Sequence, residues 1–198
     1  GPYRGAAAKF NWRYIGEVFD DEGLRLANFG YLGHRWELFS MLTWISLFLL
    51  ASYEASGQAS IWGMSAAVAA SLMTFFVIAA SGPSSLLAGW LGDRVGRTRI
   101  TILFLAISGS CALLIGLLFG RSPWLVTLVA LVWGFSIAPD SGQYSTAVSE
   151  LSDPEYMGTA LTLQTSMGFL LTLVTVRLVP TLVEAAGWRW AFAILALG

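Results

Sequence analysis

An aspartate in the middle of a long apolar run is the first residue of this sequence that calls for a chemical explanation. Pro139-Asp140 stands near the centre of the run from Pro123 to Glu150. A carboxylate at that depth costs about 3 kcal/mol even on the most lenient insertion scale, so it has to face a cavity, a cation or a partner. Pro139 frees a backbone carbonyl beside it. Gln143 and Tyr144 fall on the face of Asp140 at i+3 and i+4. Two roles fit these residues. Asp140 is a substrate or proton site, or it is a structural carboxylate bonded to Gln143, Tyr144 or Gln164. Gln164, Thr165 and Ser166 give a later apolar run a polar midsection, which either lines a cavity or bonds between helices.

Glu37 is the second such residue. It lies a short way into another apolar run, with His34 three residues earlier on the same helical face and Met41 and Trp44 continuing that face. An ionisable pair at membrane depth points to proton coupling or polar substrate contact. The alternative is an interfacial position, where Glu37 pairs with Arg35 or a lipid headgroup. No enzyme constellation accompanies these groups. The sequence has one His and one Cys, and no metal or cofactor is expected. Gly89 to Gly96 lacks the Lys-Ser/Thr ending of a phosphate-binding loop. Cys111, inside an apolar run, reads as a small packing residue.

The elements that position these groups follow from composition and hydropathy. The 198 residues are 56% hydrophobic and 12% charged, with mean hydropathy +0.68. A soluble domain carries about a quarter charged residues. An all-α integral membrane protein is expected, and a net charge of −1 offers nothing to nucleic acid. Spanning runs are read at about 31–53, 61–91, 100–119, 123–150 and 154–179. Gly82-Pro83 interrupts the second. Ser108, Ala112, Gly116 and Gly120 form a small-residue face on the third. Ser152-Asp153-Pro154-Glu155 reads as the start of the fifth helix, and Pro180 as its end. A sixth helix opens at Gly187 and stops at Gly198, short of the ~20 residues that span a bilayer. A fragment is expected.

Residues 1–30 precede the first span. Phe10, Tyr14, Ile15, Val18 and Phe19 fall near helical spacing, as in an amphipathic segment on the membrane surface; a linker with scattered aromatics is the alternative. With residues 1–30 inside, the inner surface holds Arg4, Lys9, Arg13, Arg25, Arg35, Arg94, Arg97 and Arg99, and the outer side Arg121, Arg177 and Arg189. That asymmetry places the N-terminal segment in the cytoplasm. Trp62, Trp124, Trp188 and Trp190 then fall near the outer interface.

Gly89-Trp-Leu-Gly-Asp93-Arg94-Val-Gly96-Arg97-Thr-Arg99 joins the second and third spans. Its pattern G-x-x-x-D-R-x-G-R resembles the signature loop of the major facilitator superfamily of secondary transporters. The segments Arg25 to Phe39, Pro139 to Ser145 and Gly158 to Thr165 resemble the seventh, tenth and eleventh helices of bacterial members related to cyanate and nitroimidazole transporters. The resemblance implies a six-helix half-bundle with its sixth helix truncated, preceded by the central cytoplasmic loop over 1–30. It implies the C-terminal half of a transporter in a bacterial-type inner membrane, working by alternating access and partnered by the N-terminal half of the same protein, the bilayer, a small-molecule substrate and protons. In that frame Gly89, Asp93, Arg94, Gly96 and Arg97 gate, Asp93 faces a helix N-terminus of the other half, and Arg94 or Arg97 pairs with Glu150. The rival classes are a non-transporting membrane scaffold that keeps the fold, and a channel, for which no filter sequence is visible.

Overall fold

A computed structural model describes residues 13–198; the expectations for Arg4, Lys9 and Phe10 lie outside the described residues. Helix α1 (Arg13–Asp20) leads into α2 (Glu22–Ala55). The Asp21 carboxylate accepts the Leu24 N–H at 2.8 Å and caps α2. Helix α2 therefore begins nine residues before the expected Tyr31, and residues 22–30 are helix rather than loop. The reason is packing: Val18 of α1 and Leu24 and Ala27 of α2 form a small core with Val148 and Ala160. The amphipathic face of α1 is thus turned against the bundle.

The second apolar run is two helices, α3 (Ala66–Ala79) and α4 (Ser81–Val95). Pro83 has no N–H for the ladder, and the chain divides just before it. Helix α5 (Arg97–Leu117) buries Ile100, Phe104, Ser108, Cys111, Ala112, Ile115 and Gly116 along one face. The small residues admit close backbones: a Cβ on Gly116 would sit 2.1 Å from the Arg189 carbonyl oxygen. Gly120 lies past the end of that helix, at φ +68°, where its N–H donates to Ser52 Oγ at 3.1 Å. The fourth run is α6 (Pro123–Ile137) and α7 (Asp140–Leu151), broken at Ala138-Pro139.

Helix α8 (Met157–Ala186) departs from expectation at both ends. Asp153 caps only a tight turn, accepting the Glu155 N–H at 2.9 Å, and the helix starts after Tyr156 without a side-chain cap. Pro180 lies inside the helix and does not end it. A proline there strips the Val176 carbonyl of its ladder donor. Trp44 Nε1 of α2 supplies the missing N–H at 2.9 Å, so the helix runs on. The sixth element is a short α9 (Trp188–Ala191) and a 3₁₀ segment (Ala193–Leu197). It is held to α2 by Trp36 Nε1 donating to the Ile194 carbonyl at 3.1 Å.

Five of these units are long and apolar enough to cross a membrane: α2, α3 with α4, α5, α6 with α7, and α8. The main core gathers Met41, Ile45, Phe48 and Leu49 of α2 around Trp133 of α6, Ile115 of α5 and Phe192. The fold is all-α, a half-bundle whose centre is α2.

Candidate functional site

The break at Pro139 decides where Asp140 goes. It puts Asp140 in the first turn of α7, where the positive end of the helix favours a carboxylate. His34 of α2 meets it there. His34 Nδ1 lies 2.8 Å from Asp140 Oδ1, and the two side chains are 1% and 2% exposed. The approach is close but off the line of a hydrogen bond, and His34 Nε2 is buried without a hydrogen-bond partner among the described residues. Tyr144, one turn along α7, completes this wall with its ring 6.4 Å from the imidazole. It fits only because Gly30 faces it: a Cβ on Gly30 would stand 2.3 Å from the Tyr144 ring.

Glu37 lies one turn beyond His34 and is also buried. Its Oε1 accepts two hydrogen bonds, from Ser108 Oγ of α5 at 2.6 Å and from Trp133 Nε1 of α6 at 2.6 Å. One carboxylate thereby ties three helices together. Its hydrogen-bond partners are these two side chains and not Arg35. Such donors are what a buried acid needs to offset its lost hydration.

Gln164 of α8 is buried and accepts from Ser145 Oγ at 3.5 Å; its Nε2 has no hydrogen-bond partner among the described residues. Gln143 does not join Asp140. It points toward α4, where a Cβ on Gly92 would meet its Nε2 at 3.4 Å. Trp44 also lies apart, bracing α8 as described above. The bonds to Gln143, Tyr144 or Gln164 that the structural alternative for Asp140 called for are not made; His34 is the side chain that faces it. The sequence alone passed over Trp133 as a ligand of Glu37, because an indole in an apolar run reads as core.

A second constellation lies at the Gly89–Arg99 loop. Arg97 Nη1 is 2.7 Å from Glu150 Oε1, and Arg97 Nη2 is 3.8 Å from Asp93 Oδ1. Arg97 thus joins the α4–α5 loop to the end of α7. Arg94 does not reach Glu150; its guanidinium stacks 4.0 Å from the Trp90 ring centroid. Gly96 takes φ +108°, which a residue with a Cβ rarely adopts, and lets the chain turn between α4 and α5. Gly89, Asp93, Arg97 and Gln143 line a cleft of about 540 Å³ between α4 and α7.

Comparison with known proteins gives these features a context. The chain is 30% identical over 191 residues to a rice (Oryza sativa subsp. japonica) protein named Inorganic phosphate transporter 1-6. The match covers 93% of this chain and 34% of the rice protein, so the chain spans about a third of that relative. No solved structure matches. The family description Major Facilitator Superfamily matches residues 31–198, from the third turn of α2 through the Gly89–Arg99 loop to the last residue. With five helical units long and apolar enough to cross a membrane and a family match over residues 31–198, the chain is an integral membrane protein that belongs to the major facilitator superfamily.

Proposed function

We propose that this chain is the C-terminal half of a proton-coupled secondary transporter, related to the bacterial cyanate and nitroimidazole group, that works by alternating access. The observation that carries the reading is the buried His34–Asp140 contact across the broken α6–α7 helix. A transporter places ionisable groups at the point where a spanning helix is interrupted, since backbone and carboxylate can there serve a solute or an ion. Glu37, held by Ser108 and Trp133, fixes the α2 wall of that site while the surrounding halves move. The loop contacts suit a latch. Asp93 is exposed and free to meet a helix N-terminus of the N-terminal half on the cytoplasmic side. Arg97 and Glu150 hold the loop against α7 when that side is closed.

In this reading residues 1–30, which include α1 and the first turns of α2, lie on the cytoplasmic side as the connection between the two halves, and the membrane is a bacterial-type inner membrane. The test is flux in proteoliposomes holding the full-length protein, with a panel of phosphate, small organic anions, neutral nitroheterocycles and cations, with and without a pH gradient. Gradient-driven movement of one class is expected. No movement of any class by folded, oriented protein would return the chain to the scaffold class.

A further inference from the structure

Arg35 stands next to His34 on α2, toward the end of that helix expected at the inner surface, and three aromatic rings surround it. Its guanidinium carbon lies 4.8 Å from the Tyr31 ring centroid, 4.9 Å from that of Phe39 and 5.0 Å from that of Phe169. The Tyr31 hydroxyl accepts from Nη2. The side chain is pressed onto α8 where Gly168 leaves room: a Cβ there would be 3.0 Å from Arg35 Cγ. Three rings and a hydroxyl hold the fork in place, yet none of them carries a full negative charge.

The acids nearby are engaged elsewhere. Glu37 accepts from Ser108 and Trp133, and Asp140 faces His34. Among the described residues no carboxylate lies within ion-pair distance of Arg35, and its Nε is buried without a hydrogen-bond partner. A half-buried arginine whose guanidinium is held in place but has no carboxylate partner is a place that can receive an anion. A guanidinium offers paired N–H donors in a planar fork that matches two oxygens of a phosphate or carboxylate. Cation–π contact orients that fork without neutralising it. The neighbouring surface of α8 suits a polar visitor: Thr165 and Ser166 are exposed beside Phe169, in a helix whose other exposed residues there, Leu170, Leu173 and Val174, are apolar. The buried Gln164 Nε2, on the same helix, is a donor without an acceptor among the described residues.

We infer that Arg35 is the recognition point for a tetrahedral oxyanion in solution, and that the solute of the proposed transporter belongs to that class. The inference rests on the transport reading for the word solute, but the binding site stands on its own geometry. A phosphodiester headgroup carries the same chemistry, so the test separates the two sources.

The experiment measures binding of radiolabelled inorganic phosphate to the full-length protein in a zwitterionic detergent, and again with phosphatidylglycerol added. Wild type binds phosphate. Arg35→Gln weakens that binding about tenfold or more, because the only fixed charge on the fork is gone. Arg35→Lys, which keeps the charge without the paired geometry, loses several-fold; it serves as the readout should the Gln variant fail to fold. Unchanged phosphate binding in both variants overturns the inference. So does binding that only phosphatidylglycerol shows and phosphate does not compete. Gradient-driven flux of a neutral or cationic solute, with no phosphate bound, overturns it while leaving the transport reading intact. Phosphate binding lost in Arg35→Gln, with no flux of any solute in wild type, upholds the site and removes the transport reading.

Discussion

Trp44 Nε1 donates to the Val176 carbonyl at 2.9 Å, the carbonyl that Pro180 leaves without a ladder partner. The two helices are thus joined at the point where one of them is defective. An interhelical hydrogen bond of this kind is worth about 1 kcal/mol in a membrane protein. Its removal should be felt most when no other donor can reach Val176.

Trp44→Phe is therefore expected to lower the thermal unfolding midpoint of the full-length protein in detergent, by a loss of about 1 kcal/mol. Pro180→Ala restores an N–H at position 180 and should cost little. In the double variant the new N–H can reach Val176, so the loss caused by Trp44→Phe should shrink. Strictly additive effects of the two substitutions would contradict this account of why α8 passes through Pro180.

Glu37 offers a sharper case. Glu37→Ala leaves the Trp133 N–H and the Ser108 hydroxyl buried without their acceptor, a penalty of about 1–3 kcal/mol for each group. Glu37→Gln retains an oxygen for both donors and should lose less than half as much in the same unfolding assay. Equal losses in the two variants would mean that the charge, and not the acceptor, holds α2 to α5 and α6.

The contact between Arg97 and Glu150 is a different matter, since both side chains are substantially exposed. Exposed pairs contribute about 0.2–1 kcal/mol to stability, so neither Arg97→Glu nor Glu150→Arg should shift unfolding much. If the pair latches the loop to α7, each single reversal should slow transport by the full-length protein, and the double reversal should recover a large part of it. A double variant no better than the singles would remove the pair from the latch.

The sequence displayed some of these features and hid others for physical reasons. The all-α membrane fold was legible because apolar runs of spanning length and the scarcity of charge leave few alternatives. Asp140, His34 and Glu37 stood out as candidates because each is polar inside an apolar run. Which of them meet was not legible: His34 and Asp140 are far apart in the chain, and only the break at Pro139, with Gly30 admitting Tyr144, brings α7 onto that face of α2. Gln143 looked like a neighbour of Asp140 by helical spacing, but it turns to α4. Pro180 looked like a terminator because local rules do not show a tryptophan on another helix. The start of α2 at Glu22 was hidden for a similar reason, since the face it buries is completed by α1, α7 and α8. Arg35 was counted only as a topological charge; its ring cage is a tertiary feature.

The central claim is that the buried His34–Asp140 contact couples proton movement to solute movement. The most direct measurement compares two modes of transport in proteoliposomes for the full-length protein and its Asp140→Asn variant: accumulation driven by a pH gradient, and exchange of labelled for unlabelled solute with no gradient. Asparagine keeps the size of the side chain and replaces the carboxyl with an amide. The account predicts that Asp140→Asn abolishes gradient-driven accumulation while exchange persists at a rate within a few-fold of wild type. Accumulation that survives in the variant at the wild-type level would contradict it.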